Sequence, residues 1–246
     1  MHRMNIAAII QARMGSTRLP GKVLMDLGGK TVLARVVDRL RRAALVNEIV
    51  VATTDSVADN AIIQECRRIE VASFRGSEND VLDRYYQTAL RTAAEGIVRI
   101  TSDCPLIDPQ IADDTIRLFL ERHPDYASNA LQRTYPRGLD TEVMTWDALA
   151  CAWREAQLPY QRAHVTPYLY EKSGRFDILV VKGRVDYSNH RWTLDTPQDL
   201  AFIRAVYDRL GNDDSFTWHD TLNVLQREPE LVELNRGVMQ KPLHEG

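Results

Sequence analysis

Short runs of apolar residues alternate along the chain with longer segments whose apolar positions repeat at helical spacing. The short runs are typical of buried strands, and they cover residues 6–10, 48–53, 71–74 and 97–101. The longer segments predict helices over residues 31–43, 57–68, 77–94 and 109–122. This alternation predicts an α/β fold with a mostly parallel sheet and helices on both faces, in which ligands bind at the carboxyl ends of the strands.

The pattern changes in the middle of the chain. Residues 125–189 contain shorter and less regular pieces, which predict an inserted smaller subdomain within a single domain spanning residues 1–246. Inside it we expect helices and one strand over residues 146–157, 160–172 and 176–182. Beyond it we expect a strand and two helices over residues 190–194, 196–210 and 217–226. Residues 231–246 read as a loosely attached tail.

Composition narrows the class of protein. Hydrophobic residues make up 44% of the 246 positions and charged residues 26%, which is typical of a globular protein with a substantial core. No apolar stretch approaches the roughly 18 residues of a membrane helix. The N-terminal apolar run is too short for a signal peptide. Cys66, Cys104 and Cys151 form no C-x-x-C pair, so we expect reduced thiols, a cytoplasmic location and no zinc site.

Charge is distributed unevenly along the chain. Residues 1–42 hold nine Lys and Arg against two Asp, a balance of +7, so the remainder carries −10 to give the net −3. A nucleic-acid binder is usually basic throughout, with aromatic residues among the positive ones, and neither feature is present. We therefore expect a nucleotide rather than a polynucleotide as the ligand of the basic end.

The basic end contains the sequence IIQARMGSTRLPGK over residues 9–22. A strand, a glycine-containing loop with Arg13, Arg18 and Lys22, and then a helix form a receptor for polyphosphate, because backbone N–H groups and cationic side chains both face the anion. A Walker A loop has four residues between its glycines and Ser or Thr after the lysine. Here five residues separate the two glycines and Val23 follows Lys22, so this loop is not a P-loop.

Two aspartates are candidates for binding a metal ion. Asp103 directly follows the fourth predicted strand, where it could hold Mg²⁺ against phosphate oxygens or could cap a turn. Asp195 lies in RWTLDTPQDL and could also be a cap, although Thr196 is a sufficient cap for the next helix. We interpret Asp108 as the cap of the fourth helix and Asp199 as helix surface.

The first loop resembles the N-terminal signature of sugar-activating cytidylyltransferases, most clearly the 3-deoxy-manno-octulosonate enzymes, which are related to the acylneuraminate enzymes. Gln11 before Ala12 and Arg13 resembles the spore-coat polysaccharide branch. The segment DCPLI after the fourth strand and the motif DTPQDL also resemble that family, with Gln198 where Glu is usual. The resemblance covers roughly residues 6–210. It implies a Rossmann-like, GT-A-like nucleotide-diphospho-sugar transferase fold, and a homodimer with residues 125–189 binding sugar or the partner.

The resemblance also implies an activity: Mg²⁺-dependent transfer of CMP from CTP to an acidic sugar, with release of pyrophosphate, for surface polysaccharide synthesis. Within this scheme Arg13, Lys22 and Asp103 are catalytic, and Asp103 and Asp195 hold the metal. The implied nucleotide-binding residues are Ala12, Arg13, Ser16, Arg18, Lys22, Arg75, Gly76, Asp80 and Ser102. The implied sugar-binding residues are Asp140, Glu142, His164 and Arg191.

Several interpretations stay open at the level of sequence. Residues 77–80 could begin a helix rather than line a base pocket, and a helical histidine such as His164 is more often structural than catalytic. The whole chain could instead be a glycosyltransferase of the same architecture, although its triphosphate-type loop argues against that. It could also be a silent nucleotide-binding protein, but both candidate metal ligands are present.

Overall fold

A central β-sheet organises the computed structural model, which describes residues 4–241. Within these residues the strands are β1 (Ile6–Gln11), β2 (Asp26–Leu27), β3 (Lys30–Thr31), β4 (Glu48–Thr54), β5 (Ala72–Gly76), β6 (Gly96–Thr101), β7 (Tyr126–Ser128), β8 (Glu142–Thr145) and β9 (Ile178–Val180). Seven of them form one sheet in the order β5-β4-β1-β6-β8-β7-β9, while β2 pairs with β3.

The sheet is mixed but mostly parallel, as predicted. Strand β1 is parallel to β4 and β6, β4 to β5, and β7 to β9, whereas β8 is antiparallel to β6 and β7. Because β5, β4, β1 and β6 run in one direction, the residues that follow these strands meet along one edge. In open α/β sheets that edge is where ligands bind.

Helices cover both faces of the sheet. They are α1 (Val32–Leu40), α2 (Asn60–Arg68), α3 (Val81–Thr92), α4 (Pro109–Arg122), α5 (Trp146–Glu155), α6 (Pro159–His164), α7 (Pro167–Glu171), α8 (Pro197–Arg209) and α9 (Trp218–Arg227). Side chains alternate between faces along a strand. Accordingly, Ala8 and Ile10 of β1 pack with α1, α2 and α4, while Ala7 and Ile9 pack with α3 and α5.

Side-chain caps begin α1 and α4, and the second of these caps is predicted from sequence. The Thr31 hydroxyl accepts a hydrogen bond from Ala34 N at 3.0 Å. The Asp108 carboxylate accepts from Gln110 N at 2.9 Å, with Pro109 in the first helical turn. Side-chain oxygens at these positions satisfy amides that the helix itself leaves unpaired. The second cap fixes where α4 starts, and so limits the path of the loop that carries Asp103.

Residues 125–189 extend the main sheet instead of forming a separate layer. They supply β7, β8 and β9, and residue Tyr126 of β7 and Met144 of β8 are both fully buried in one core with α3 and α5. The helix expected over residues 160–172 is divided into α6 and α7, with Val165 between them at φ 73°. A β-branched residue with positive φ cannot continue a helix, which explains the break.

Residues of the C-terminal part of the chain form another hydrophobic core, which includes Leu19 of the first loop. Trp192 and Leu194 are completely buried there with residues of α8 and α9. The strand expected over residues 190–194 is wrong, because this segment has an extended course with only one isolated bridge, between Arg137 and Arg191. The predicted tail begins as packed structure: a 3₁₀ turn covers Pro229–Leu234, and Asn235 is buried. Residues 242–246 of that tail lie outside the described residues.

Each helix between residues 4 and 241 is too short or too polar to traverse a lipid bilayer.

Candidate active site

The loop after β1 folds back on itself in a compact turn. The carbonyl of Met14 accepts hydrogen bonds from Ser16 N at 3.0 Å and from Gly21 N at 3.1 Å. The hydroxyl of Ser16 accepts from Leu19 N at 3.3 Å. Gly21 has φ 69°, a left-handed conformation that glycine adopts without strain. The chain then enters a 3₁₀ turn at Lys22, which directs this lysine inward.

A buried aspartate, Asp59, holds the start of this loop. One of its carboxylate oxygens accepts from Met14 N at 2.8 Å, and the other accepts from Thr54 N at 3.1 Å and the Thr53 hydroxyl at 3.0 Å. Burial raises the pKa of Asp59, but these hydrogen bonds favour the charged form and lower the pKa below its ordinary value. Nothing in the sequence points to this role, because Asp59 lies 45 residues from Met14 within a predicted helix.

Lys22 joins three distant segments of the chain. Its ammonium group donates to Asp103 Oδ2 at 2.9 Å, to Asp195 Oδ1 at 2.8 Å and to the carbonyl of Leu194 at 2.7 Å. The side chains of Lys22 and Asp195 are 11% and 13% exposed, and that of Asp103 is 25% exposed. The predicted meeting of Asp103 and Asp195 is therefore present, although 92 positions separate them.

The loop after β6 positions Asp103. The hydroxyl of Thr101, the last residue of β6, donates to Asp103 Oδ1 at 2.6 Å. The carbonyl of Asp103 accepts from Leu194 N at 2.8 Å. This backbone hydrogen bond docks the extended segment 190–195 against the end of β6 and takes the place of the strand expected over residues 190–194.

Asp195 is not the cap of α8. Asp199 forms the capping box with Thr196: its carboxylate accepts from Thr196 N at 3.0 Å, and its own N–H donates to the Thr196 hydroxyl at 3.2 Å. Asp199 is fully buried and paired with Arg191, so our interpretation of Asp199 as helix surface is wrong. Because the cap is supplied elsewhere, the Asp195 carboxylate is left to face the first loop.

Asp195 contacts three cationic side chains. Besides Lys22 it contacts Arg18 Nη2 at 3.0 Å and Arg191 Nη2 at 2.8 Å. Arg191 also binds Asp199 at 2.9 Å. The cluster formed by Arg18, Lys22, Asp103, Asp195 and Arg191, called the lysine–carboxylate cluster below, lies at the carboxyl end of β6 beside the first loop. Such an arrangement presents positive charge to an incoming polyphosphate.

The electrostatics of the cluster favour the charged forms of Lys22 and Asp103. Burial lowers the pKa of Lys22, but the charges of Asp103 and Asp195 outweigh it and raise the pKa above its ordinary value. Burial likewise raises the pKa of Asp103, but the Lys22 ammonium and the Thr101 hydroxyl bring it down to about 2. At neutral pH Lys22 is therefore a charged ammonium group and Asp103 a charged carboxylate.

The two carboxylates fit a divalent cation that is shared with substrate. Asp103 and Asp195 converge on one point, where the Lys22 ammonium lies between them. No group of three or more His, Cys, Asp and Glu within residues 4–241 could enclose a metal ion by itself. Mg²⁺ commonly binds one or two carboxylates and completes its octahedron with phosphate oxygens and water. The donor set suits that kind of site rather than an all-protein cage.

The remaining predicted nucleotide-binding residues divide into two groups. Near the cluster, Arg13 is 54% exposed and makes only a loose contact with Glu78 at 3.8 Å, so its guanidinium can reorient. Ala12 and Ser102 are buried, and Ser102 N donates to the carbonyl of Gln11 at 3.1 Å, which ties the ends of β6 and β1 together. These residues shape the edge of the sheet around the first loop.

The second group lies at the end of β5 and is engaged locally. Arg75 donates to the carbonyls of Thr54 and Ser56 at 2.9 and 2.7 Å, which braces the loop after β4. The carbonyl of Gly76 accepts from the amide of residue 55, and an added Cβ at Gly76 would lie 3.0 Å from Arg84. Asp80 caps α3 and pairs with Arg162. Contact of this group with nucleotide stays a prediction.

Three of the four predicted sugar-binding residues are paired with protein groups. Glu142 is buried at the start of β8, where it binds Arg99, the Tyr126 hydroxyl and the Thr166 hydroxyl, the last at 2.7 Å. Asp140 forms a bidentate ion pair with Arg133. His164 ends α6, and Arg191 belongs to the lysine–carboxylate cluster. Only Arg191 of the four contacts a predicted metal ligand.

Comparison with known proteins identifies the class of protein that this fold and site define, a nucleotidyltransferase. Residues 7–219 match the family model of the cytidylyltransferases. The chain belongs to the cytidylyltransferase family, and the membership predicted from the first loop is confirmed.

Individual relatives agree with this assignment. The chain is 34% identical over 237 residues to the spore coat polysaccharide biosynthesis protein SpsF of Bacillus subtilis, covering 93% of this chain and 97% of SpsF. It is 45% identical over 113 residues to 3-deoxy-manno-octulosonate cytidylyltransferase of Geobacter sulfurreducens, covering 46% of this chain and 44% of that enzyme. A solved cytidylyltransferase of Leptospira borgpetersenii superposes with a TM-score of 0.90 at 33% identity, covering 97% of this chain and all of the other.

Proposed function

We propose that this protein transfers CMP from CTP to a hydroxyl group of an acidic sugar and releases pyrophosphate. The observation that carries the proposal is the lysine–carboxylate cluster, in which Lys22 lies between Asp103 and Asp195 beside a basic first loop. Membership of the cytidylyltransferase family supports CTP as the donor. The partial similarity to 3-deoxy-manno-octulosonate cytidylyltransferase supports an acidic acceptor.

In this reaction a sugar oxygen bonds to the α-phosphorus of CTP, and the bond from that phosphorus to the bridging oxygen of the β-phosphate breaks. The pair of electrons leaves with pyrophosphate, and the hydroxyl proton passes to solvent. Catalysis of phosphoryl transfer depends mainly on positioning and charge neutralisation. Arg13, Arg18 and Lys22 donate to the phosphate oxygens and stabilise the charge that develops on the leaving pyrophosphate.

Asp103 and Asp195 would hold Mg²⁺ against the phosphates. When bound, the ion supplies Lewis-acid stabilisation of phosphate charge and lowers the pKa of a coordinated hydroxyl. The Thr101 hydroxyl keeps one Asp103 oxygen oriented, and Arg191 orients Asp195. Asp103 stays ionised at neutral pH because the Lys22 ammonium and the Thr101 hydroxyl lower its pKa, so it is ready to bind without prior deprotonation.

Surface polysaccharide synthesis is the proposed context, supported by the full-length similarity to SpsF. A homodimer formed through residues 125–189 and a location in the cytoplasm stay predictions.

Pyrophosphate release tests the proposed function. The purified protein is incubated with Mg²⁺, each of CTP, UTP, ATP and GTP, and a panel of acidic and neutral sugars. We expect pyrophosphate only with CTP and an acidic sugar, together with a CMP-sugar product detected by mass spectrometry. Release with UTP instead would make the protein a uridylyltransferase, and release of a nucleoside diphosphate from a nucleotide sugar would make it a glycosyltransferase.

A further inference from the structure

The loop between β7 and β8 lies at the same edge of the sheet as the lysine–carboxylate cluster. Glu142, the first residue of β8, pairs with Arg99 of β6 and Ser128, the last residue of β7. The connecting residues 129–141 therefore emerge where β6 ends. In the sheet, β8 is the neighbour of β6 on the side away from β1. Asp103 thus has the phosphate-binding first loop on one side and this second loop on the other.

Arg137 in the second loop is held against the segment that delivers Asp195. Its N–H donates to the carbonyl of His190 at 3.0 Å, and its carbonyl accepts from Trp192 N at 2.6 Å. Gly138 makes this approach possible, since an added Cβ there would lie 2.6 Å from the Trp192 carbonyl carbon. Arg137 is consequently fixed by backbone contacts rather than by its side chain.

These hydrogen bonds place Arg137 opposite Arg191 in a parallel bridge. Residues paired in such a bridge project their side chains to the same face. Arg191 is neutralised on that face by Asp195 and Asp199. Arg137 is half-buried, and among residues 4–241 no carboxylate lies within ion-pair distance of it. A cation without a direct counter-ion therefore lies beside Arg191, which contacts the predicted metal ligand Asp195.

The burial of Arg137 and the charges around it favour the binding of an anion. Its burial lowers the pKa of the guanidinium, and the positive charges of Arg133 and Arg191 lower it further, against the opposite effect of Asp140. Asp140 is itself occupied by Arg133, with Arg133 Nη2 at 2.7 Å from Asp140 Oδ2. Leaving a half-buried guanidinium without a direct partner is unfavourable unless a ligand supplies the negative charge.

We propose that Arg137 binds the carboxylate of the acceptor sugar and so selects acidic sugars over neutral ones. This inference rests on the proposed function and deepens it. The triphosphate has its own cations in the first loop, on the β1 side of Asp103. An acceptor must approach the α-phosphate from the opposite side to the leaving pyrophosphate, which is the side of the second loop. A guanidinium there can bind a carboxylate through two parallel N–H donors.

Arg137 differs from the residues that the sequence predicts to bind the sugar. Asp140, Glu142 and Arg191 are already paired with protein groups, whereas Arg137, in the same RGLDTEV segment, is not. We therefore assign recognition of the sugar carboxylate to Arg137 and not to Asp140, Glu142 or Arg191.

The test compares Arg137→Ala and Arg137→Lys with wild type in the pyrophosphate-release assay. The acidic probes are 3-deoxy-manno-octulosonate and N-acetylneuraminate, and neutral hexoses serve for comparison. We expect Arg137→Ala to raise KM for the acidic sugar by about 10- to 100-fold, the usual range for loss of a charge-assisted hydrogen bond, with KM for CTP within twofold. Arg137→Lys, which keeps the charge but not the paired donors, should fall between them. Arg227→Ala, which removes an exposed arginine at the end of α9, is the matched control and should behave as wild type.

Each other outcome has a distinct meaning. Unchanged KM for the acidic sugar in Arg137→Ala would overturn the role of Arg137, and so would a wild-type enzyme that accepts neutral sugars equally well; CMP transfer would stand in both cases. Absence of pyrophosphate from wild type with every pair of substrates would overturn the proposed function together with this inference. If Arg137→Ala has a lowered Tm, the lysine variant alone decides, because it keeps the length and charge of the side chain.

Discussion

Two lysines of this protein each lie between two aspartates, and they differ in what surrounds them. Lys22 contacts Asp103 and Asp195 at 2.9 and 2.8 Å, whereas Lys30 contacts Asp38 and Asp214 at 2.7 and 2.8 Å. By distance alone the two arrangements are the same. Their environments separate a candidate active site from a structural contact.

Lys22 is 11% exposed at the carboxyl end of the central sheet, and its carboxylates converge from segments 92 residues apart. Lys30 is 43% exposed on a two-residue strand of the separate two-stranded sheet. Asp214 also binds the buried Arg35 at 3.0 Å, so this second group fastens the loop before α9 to α1. An ion pair is therefore weak evidence of function until its place in the fold and its capacity to bind a further ion are known.

We expect the largest difference between the two groups when their aspartates are substituted. Asp103→Asn and Asp195→Asn should each lower kcat/KM by about 1,000-fold, because each removes a charge that holds the metal against the phosphates. The double variant should cost little more than either single variant, since the two carboxylates act as one unit. Steady-state pyrophosphate release measures all three. Asp38→Asn, which changes the group around Lys30, should keep wild-type activity.

Additive losses in the double variant would contradict a shared site. In that case Asp103 and Asp195 would act separately, and their meeting at Lys22 would be structural.

The next effect concerns the lysines themselves. Lys22→Ala should lower kcat/KM by about 100-fold, corresponding to roughly 3 kcal/mol of transition-state stabilisation, because a phosphate contact is lost and two carboxylates are left facing each other. Lys30→Ala should leave activity unchanged and cost at most about 1 kcal/mol of stability, as expected for an exposed ion pair. Kinetics and thermal unfolding of both variants test this contrast. Equal activity of the two variants would mean that position at the sheet edge does not distinguish the lysines.

Sequence was sufficient for those parts of the site that depend on local pattern. The ends of β1 and β6 could be located from short apolar runs, and those ends place Arg13 and Asp103 at one edge of a parallel sheet. The family motif correctly associated Asp195 with that edge. These predictions succeed because residues that follow parallel strands lie at the same edge of the sheet, whatever their separation along the chain.

The remaining parts depend on contacts that no local pattern encodes. Asp195 is positioned by an extended segment that is held by backbone hydrogen bonds to Asp103 and Arg137, and this segment is not a strand of the sheet. Asp199 looked like helix surface because the burial of its face depends on Arg191 and on Asn235, which packs from the end of the chain. The sequence predicts that Glu142 binds substrate, but in the structure its carboxylate is already paired with protein groups.

The most direct test of the central claim is calorimetric titration of CTP into wild type and into Asp103→Asn, with and without Mg²⁺. The account predicts that Mg²⁺ raises the affinity of wild type for CTP by about tenfold or more, and that this gain disappears in Asp103→Asn, because the carboxylate that links ion and phosphate is gone. An equal Mg²⁺-dependent gain in both proteins would contradict the assignment of the lysine–carboxylate cluster as the site that holds metal and triphosphate together.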